Sequence, residues 1–280
     1  MITEEQRKAR MLGIGGSDIP IILGLSQYKT PYQLFLEKRG FLKDTEMTPL
    51  QYWGNRLEPL LREEFILRNQ VEVVTPETIT HPMMDYMRGN IDGYIPEWDA
   101  VLEIKTATQW MAQEWGEDGS DIIPLAYLTQ VAHYCCVTNS KCAYIAVLIG
   151  GYDYRQYKYT RDNEVEKFIV DAAAKFWECV KNNIEPELIN RNDLMLKFPT
   201  NKKGSIKSVK SELINDLEKL KLLHNKIKEL EKLEEESRFK IMHYMEDAEC
   251  LVNDEGKRLA TWKCNKNGSR KFLLKGISNG

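Results

Sequence analysis

The sequence predicts an α/β (α+β) protein: a central mixed β-sheet flanked by helices, with a long helix and a β-hairpin appended at the C-terminal end. Three observations carry this expectation. Helical and strand spacings of apolar residues alternate through the first 190 positions, so helices and strands interleave. Between Gly89 and Thr106, the runs Gly-Asn-Ile-Asp-Gly-Tyr-Ile and Val-Leu-Glu-Ile-Lys-Thr flank a short polar break and read as two paired strands. After Pro186 the texture turns polar and charged, then settles into a heptad pattern. The domains expected are a core at 1–190, a basic linker at 191–210 and an appendage of long helix, hairpin and basic tail at 211–280.

In chain order, Ser17 stands where a helix N-cap belongs, followed by Asp18 and the apolar run Ile19 to Leu23, closed by Gly24. Thr30-Pro31 opens a second helix, which Gly40 ends. A third runs from about Gln51 to Asn69, with Leu57, Leu61 and Phe65 as its buried stripe and Glu58 at the edge of that stripe. Val71 to Val74 reads as a strand, and the strands of Asp92 and Glu103 follow, folded back through the turn residues Pro96 to Asp99. Trp110 to Ile123 is mixed in texture and reads as a mobile stretch. Ala126 to Val137 reads as a helix, Ala143 to Ile149 as a buried strand and Tyr152 to Thr160 as an alternating one. A helix from Asn163 to Asn182 shows Phe168, Ala172 and Phe176 on one face. Pro199 and Gly204 punctuate the linker. Ser211 to Asp247 is one charged helix; Ile206, Val209, Leu213, Leu220, Leu223, Ile227, Leu230, Ile241 and Tyr244 fit an a/d frame interrupted by Asp216, Glu234 and Ser237. Strand, turn and strand fill Cys250 to Lys263, and a basic tail with Arg270, Lys271 and Lys275 follows.

Bulk properties narrow the function. The 280 residues carry a net charge of −3, so any nucleic-acid binding must come from a local groove rather than a global basic field. No apolar run is long enough to span a bilayer, and the first residues lack a signal-peptide core, so no membrane partner and a cytoplasmic location are expected. Six cysteines without a Cys-x-x-Cys pair read as reduced thiols, and no iron–sulfur cluster is expected.

The chemistry concentrates at Asp92, Glu103 and Lys105. Strand side chains alternate, so Glu103 and Lys105 point one way and Ile104 the other. Folding back the Asp92 strand would bring two carboxylates and an amine together, a set that suits a hard divalent cation and its water. A solvated edge strand with alternating charges gives the same triplet. The order helical Glu58, strand Asp92, strand Glu103-Ile104-Lys105 and helical Gln130 is harder to obtain by chance.

These residues, with Arg10-Met11-Leu12-Gly13-Ile14-Gly15-Gly16-Ser17-Asp18, Gly54 to Pro59 and Tyr127 to Tyr134, resemble the PD-(D/E)xK nuclease superfamily, and within it the YqaJ-type viral recombinase and lambda exonuclease group. The likeness covers about the first 190 residues; Ile91 stands before Asp92 where the superfamily's name has proline. The resemblance implies a Mg²⁺-dependent, and also Mn²⁺-supported, exonuclease that degrades one strand of linear double-stranded DNA from its 5′ end, leaving 3′ overhangs for recombination by single-strand annealing. It implies that Asp92, Glu103 and the Ile104 carbonyl bind metal, that Glu58 serves a second metal or its waters, that Lys105 orients or deprotonates water and that Gln130 hydrogen-bonds the water or Lys105. A lysine beside bound cations is expected to have a lowered pKa. Arg10 and Ser17 are implied to grip the 5′-terminal phosphate, in keeping with the anion affinity of a helix N-terminus. The implied partners are DNA ends, a phage single-strand annealing protein and further copies of the chain in a ring-shaped homo-oligomer, in a bacterial host cell with a phage or prophage origin. Two other readings stand beside this one: an endonuclease or helicase-associated nuclease of the same superfamily, and a non-cleaving DNA-end-binding or coiled-coil adaptor protein.

Overall fold

A computed structural model describes residues 10–42 and 47–275. The chain divides into two compact units, Met1–Thr200 and Asn201–Gly280.

The first unit is built on a four-stranded mixed sheet of β3 (Gly93–Ile95), β4 (Ala100–Ala107), β5 (Cys142–Ile149) and β6 (Asp153–Thr160), in that spatial order. β3 pairs antiparallel with β4, β4 parallel with β5, and β5 antiparallel with β6. A separate two-stranded ladder joins β1 (Ile79–Thr80) to β2 (Arg88–Gly89). The hairpin between β3 and β4 turns at Pro96–Trp98, and Asp99 takes the left-handed conformation with φ 49°. The parallel β4–β5 pair requires a crossover, which carries α4 (Leu125–Thr138).

Both faces of the sheet are covered, which explains why β4 and β5 read as nearly unbroken apolar runs. One face, with Leu102, Ile104 and Ala146, packs on Leu61 and Phe65 of α3 (Pro49–Asn69). The other, with Val101, Ala143, Ile145 and Val147, packs on α4 and α5 (Asn163–Asn182) through Val131, Cys135, Ile169 and Phe176. The chain enters this layer through a 3-10 turn at Gly16–Asp18, then α1 (Ile19–Ile22) and α2 (Pro31–Lys38). Thr30 caps α2 by accepting from the Gln33 amide at 3.1 Å, and the Gln33 side chain returns the bond at 3.2 Å.

Several expectations need correction. Ser17 is not an N-cap; it lies inside the 3-10 turn, and the Asp18 carboxylate accepts from the Gly15 amide at 2.9 Å instead. Val71 to Val74 is not a strand, because only Val74 bridges to Tyr94. Asp92 stands just ahead of β3 rather than within it. Trp110 to Ile123 is anchored: Trp115 is buried, and the Gly116 carbonyl accepts from Tyr157 Oη at 2.6 Å and Arg155 Nη1 at 2.7 Å. The buried stripe of α5 is Ile169, Ala173, Phe176 and Val180, while Phe168 faces solvent. The stretch 191–210 opens with a helix, α6 (Arg191–Lys197), capped by Asn190 accepting from the Asp193 amide at 2.9 Å.

The second unit contains α7 (Ser211–Met245) and a three-stranded antiparallel sheet of β7 (Cys250–Val252), β8 (Arg258–Cys264) and β9 (Arg270–Leu274). The expected basic tail therefore supplies a third strand. Arg270 anchors it, its guanidinium 3.5 Å from the Trp262 ring centroid and bonded to the carbonyls of Glu246 and Ala248 at 2.6 and 2.7 Å. Met245, Ala260 and Phe272 form a small core. Ile206 and Val209 precede the helix, so the heptad frame begins at Leu213; Leu213, Leu220, Leu223, Ile227 and Leu230 are all exposed.

Candidate active site

β4 places the chemistry. Val101, Glu103 and Lys105 share the face toward α4, while Leu102 and Ile104 face α3. Glu103 is 2% exposed, a costly position for a carboxylate. Its Oε1 accepts from Lys105 Nζ and from Gln130 Nε2, the latter at 2.6 Å. Its Oε2 is buried with no hydrogen-bond partner. Asp92 arrives across the hairpin, and its Oδ2 accepts from the Ile104 amide at 2.7 Å. Asp92, Glu103, Lys105 and Gln130 are thus brought together.

Glu58 comes from α3, the helix on the opposite face of the sheet, and reaches the site less directly. Its carboxylate is paired with Arg62 at 2.6 Å, one turn along its own helix. Among the described residues, no three acidic, histidine or cysteine side chains converge on one point. Glu58 still lies within the field of the site: burial, and then the charge of Asp92, raise its pKa.

The electrostatics are those of an over-acidic pocket. Burial pushes Glu103 up to about 8, against the pull of Lys105 and with the help of Asp92. Burial also raises Asp92, against Lys105 and the Ile104 amide. For Lys105, burial favours the neutral amine, but the charges of Glu103 and Asp92 together outweigh it and the pKa rises. The expected fall at Lys105 therefore runs opposite to the balance its own neighbours set, and cations held between the carboxylates would be needed to reverse it. Two neighbouring carboxylates with raised pKa, one of them with an unpartnered buried oxygen, are hard donors and fit a divalent cation such as Mg²⁺ or Mn²⁺.

A cavity of about 860 Å³ adjoins this cluster, and Gln130, Tyr127, Arg10, Ser17 and Lys29 are among its lining residues. Arg10 and Ser17 are thus brought to one cavity with Gln130. Sequence reasoning gave no role to Tyr127 or Tyr134. Lys105 Nζ lies 5.5 Å from the Tyr127 ring centroid, and Tyr134 Oη accepts from Gln130 at 3.1 Å. The signal was present: residues 127, 130 and 134 follow helical spacing and share one face of α4.

The mixed sheet, the carboxylates beside its central strand and the glutamine on its crossover helix make this an α/β domain with the fold of an exonuclease. The alkaline exonuclease LHK-Exo from Laribacter hongkongensis superposes with a TM-score of 0.54 at 17% identity, covering 65% of this chain and 94% of that one. The same enzyme in complex with dAMP gives a TM-score of 0.54 at 18% identity, with the same coverage. Residues 5–141 match the YqaJ-like viral recombinase domain family. The chain is also 31% identical over 272 residues to the uncharacterized protein YqaJ of Bacillus subtilis (strain 168), across 94% of this chain and 84% of that protein. This chain belongs to the YqaJ-like viral recombinase family.

Proposed function

We propose that the protein is a metal-dependent exonuclease that hydrolyses one strand of linear double-stranded DNA from the 5′ end, leaving a 3′ overhang for single-strand annealing. The observation that carries this reading is the buried Glu103, whose unpartnered Oε2 lies in one cluster with Asp92, Lys105 and Gln130. A carboxylate placed this way is costly unless a cation completes it. Asp92, Glu103 and the Ile104 carbonyl would hold Mg²⁺ or Mn²⁺, with Glu58 serving a second ion or its waters. When bound, the metal polarises the scissile phosphate and stabilises the leaving 3′ oxygen.

The chain's own residues do the rest. Lys105, held by Glu103 and the face of Tyr127, orients the attacking water and offers positive charge to the phosphate. Gln130 holds Glu103 Oε1, which leaves Oε2 free to accept a cation. Arg10 and Ser17, in the adjoining cavity, bind the 5′-terminal phosphate. The partners in this reading are DNA ends, a single-strand annealing protein of phage type and further copies of the chain, within a bacterial cytoplasm.

Linear duplexes with 5′-phosphate or 5′-hydroxyl ends, and closed circles, incubated with protein and Mg²⁺ or Mn²⁺ provide the test. Mononucleotides released from linear DNA, faster from phosphorylated ends, are the expected product. Equal cutting of circles would exclude end dependence. Lys105→Ala should lower the rate by about 10²-fold or more, as loss of a group acting in the transition state does; an unchanged rate would remove its assigned role.

A further inference from the structure

Among the described residues Lys38 is the one buried lysine or arginine, and it lies outside the catalytic cluster. Its side chain is 6% exposed, a setting that lysine almost never occupies without partners. Its ammonium group is saturated: Nζ donates to the Arg10 carbonyl at 2.8 Å, the Gly13 carbonyl at 2.7 Å and Asp18 Oδ2 at 2.6 Å. The same Asp18 oxygen accepts from the Gly15 amide at 2.9 Å. All three hydrogen bonds of the Lys38 ammonium group thus fall on one segment, Arg10 to Asp18.

That turn cannot be displaced freely in other directions. A side chain on Gly13 would meet the Tyr86 carbonyl oxygen at 2.3 Å, and one on Gly16 would meet the Tyr134 ring at 2.5 Å. Ile14 is stitched to the chain on both sides, its amide donating to the Tyr86 carbonyl at 2.6 Å and its carbonyl accepting from the Arg88 amide at 2.9 Å. Lys38 itself ends α2, whose cap Thr30 donates its hydroxyl to the fully buried Asp193 at 2.8 Å. A buried ion pair adds little net stability compared with apolar side chains of the same size, so geometry is the better reason for its presence.

We propose that Lys38, paired with Asp18, is a positioning residue that sets the enzyme's preference for 5′-phosphorylated ends, by holding the backbone from which Arg10 and Ser17 enter the cavity. This rests on the reading that Arg10 and Ser17 bind the terminal phosphate. Neither Lys38 nor Asp18 needs to touch the phosphate. The pair fixes where the turn presents the groups that do.

The experiment compares wild type, Lys38→Met, Lys38→Arg, Asp18→Asn and Arg10→Ala on duplexes with 5′-phosphate or 5′-hydroxyl ends, reading kcat and KM for each. In Lys38→Met the phosphate-to-hydroxyl ratio of kcat/KM should fall by about tenfold or more, through KM on phosphorylated ends, with the hydroxyl rate changing by less than about threefold. Lys38→Arg should recover part of the ratio. An unchanged ratio, or equal loss on both ends, overturns the proposal. If Lys38→Met does not fold, Asp18→Asn, which keeps an acceptor for the Gly15 amide, must show the same loss or the proposal fails. Should wild type and Arg10→Ala both show no end preference, the phosphate reading itself has failed. Amide exchange at Gly15 to Ser17 then decides for Lys38: faster exchange in Lys38→Met keeps it as a positioning residue, and unchanged exchange removes it.

Discussion

The two units spend their polar and apolar residues in opposite ways. The first buries charge: Glu103, Lys38, Glu166 and Asp193 are all inside, each with a bonded partner. The second exposes oil: α7 presents Leu213, Leu220, Leu223, Ile227 and Leu230 to solvent over a three-residue core of Met245, Ala260 and Phe272. Burying charge costs stability and fixes geometry, which is what a reaction centre needs. Exposing an apolar stripe costs little in the isolated chain and leaves a surface free.

The comparison is broken most directly at the carboxylates. Asp92→Asn keeps the shape and a bond acceptor for the Ile104 amide but removes charge, and the hydrolysis rate should fall by about 10³-fold, or roughly 4 kcal/mol of barrier. The metal-free fold should be no less stable, measured by thermal melting, because the carboxylate it loses is strained by burial. A fall in melting temperature with full activity would mean that Asp92 is structural.

A second test uses a buried group with no catalytic part. His133 is fully buried; its Nε2 contacts the Arg88 carbonyl at 2.9 Å, so that nitrogen carries the proton, and Nδ1 has no partner. Burial pushes its pKa down to about 4. The folded state therefore holds the neutral ring, and the stability this gives is fully present above the unfolded pKa of about 6.5 and lost as pH falls toward 4. The loss amounts to about 3 kcal/mol across that window. Urea denaturation from pH 7 to 4 should show a slope that His133→Gln makes shallower by about one proton; equal slopes would refute the assignment.

The smallest effect is expected in the second unit. Leu220 is 64% exposed, so Leu220→Gln should change stability by no more than about 0.5 kcal/mol. A drop of several degrees in melting temperature, or a smaller assembly by light scattering, would show that the stripe is covered in solution.

How much was legible follows from how local each signal is. The hairpin that brings Asp92 to Glu103 was readable because turn residues and alternation lie within one short stretch. Gln130 was readable from the order of the motif, but its meeting with Glu103 was not, since that depends on a crossover that no local pattern reveals. The Ser17 cap misled because Ser-Asp before an apolar run is ordinary capping chemistry, while the structure uses the Asp18 carboxylate against Gly15 and Lys38. Lys38 itself carried no signal: it closes a helix where a basic residue is commonplace, and only tertiary structure shows that it points inward. Phe168 was misassigned because a three-residue stripe on α5 fits two neighbouring faces, and only Ile169 and Ala173 decide between them.

The parallel pairing of β4 with β5 has a consequence for biogenesis. β3 and β4 can pair as a local hairpin early in folding, but β5 joins only after the chain has laid α4 across the sheet. Gln130 rides on that crossover, so its bond to Glu103 arrives only with β5. A nascent chain released before this point would carry Asp92 and Glu103 as wet, unaimed carboxylates. The acidic cluster is thus complete only with the completed sheet.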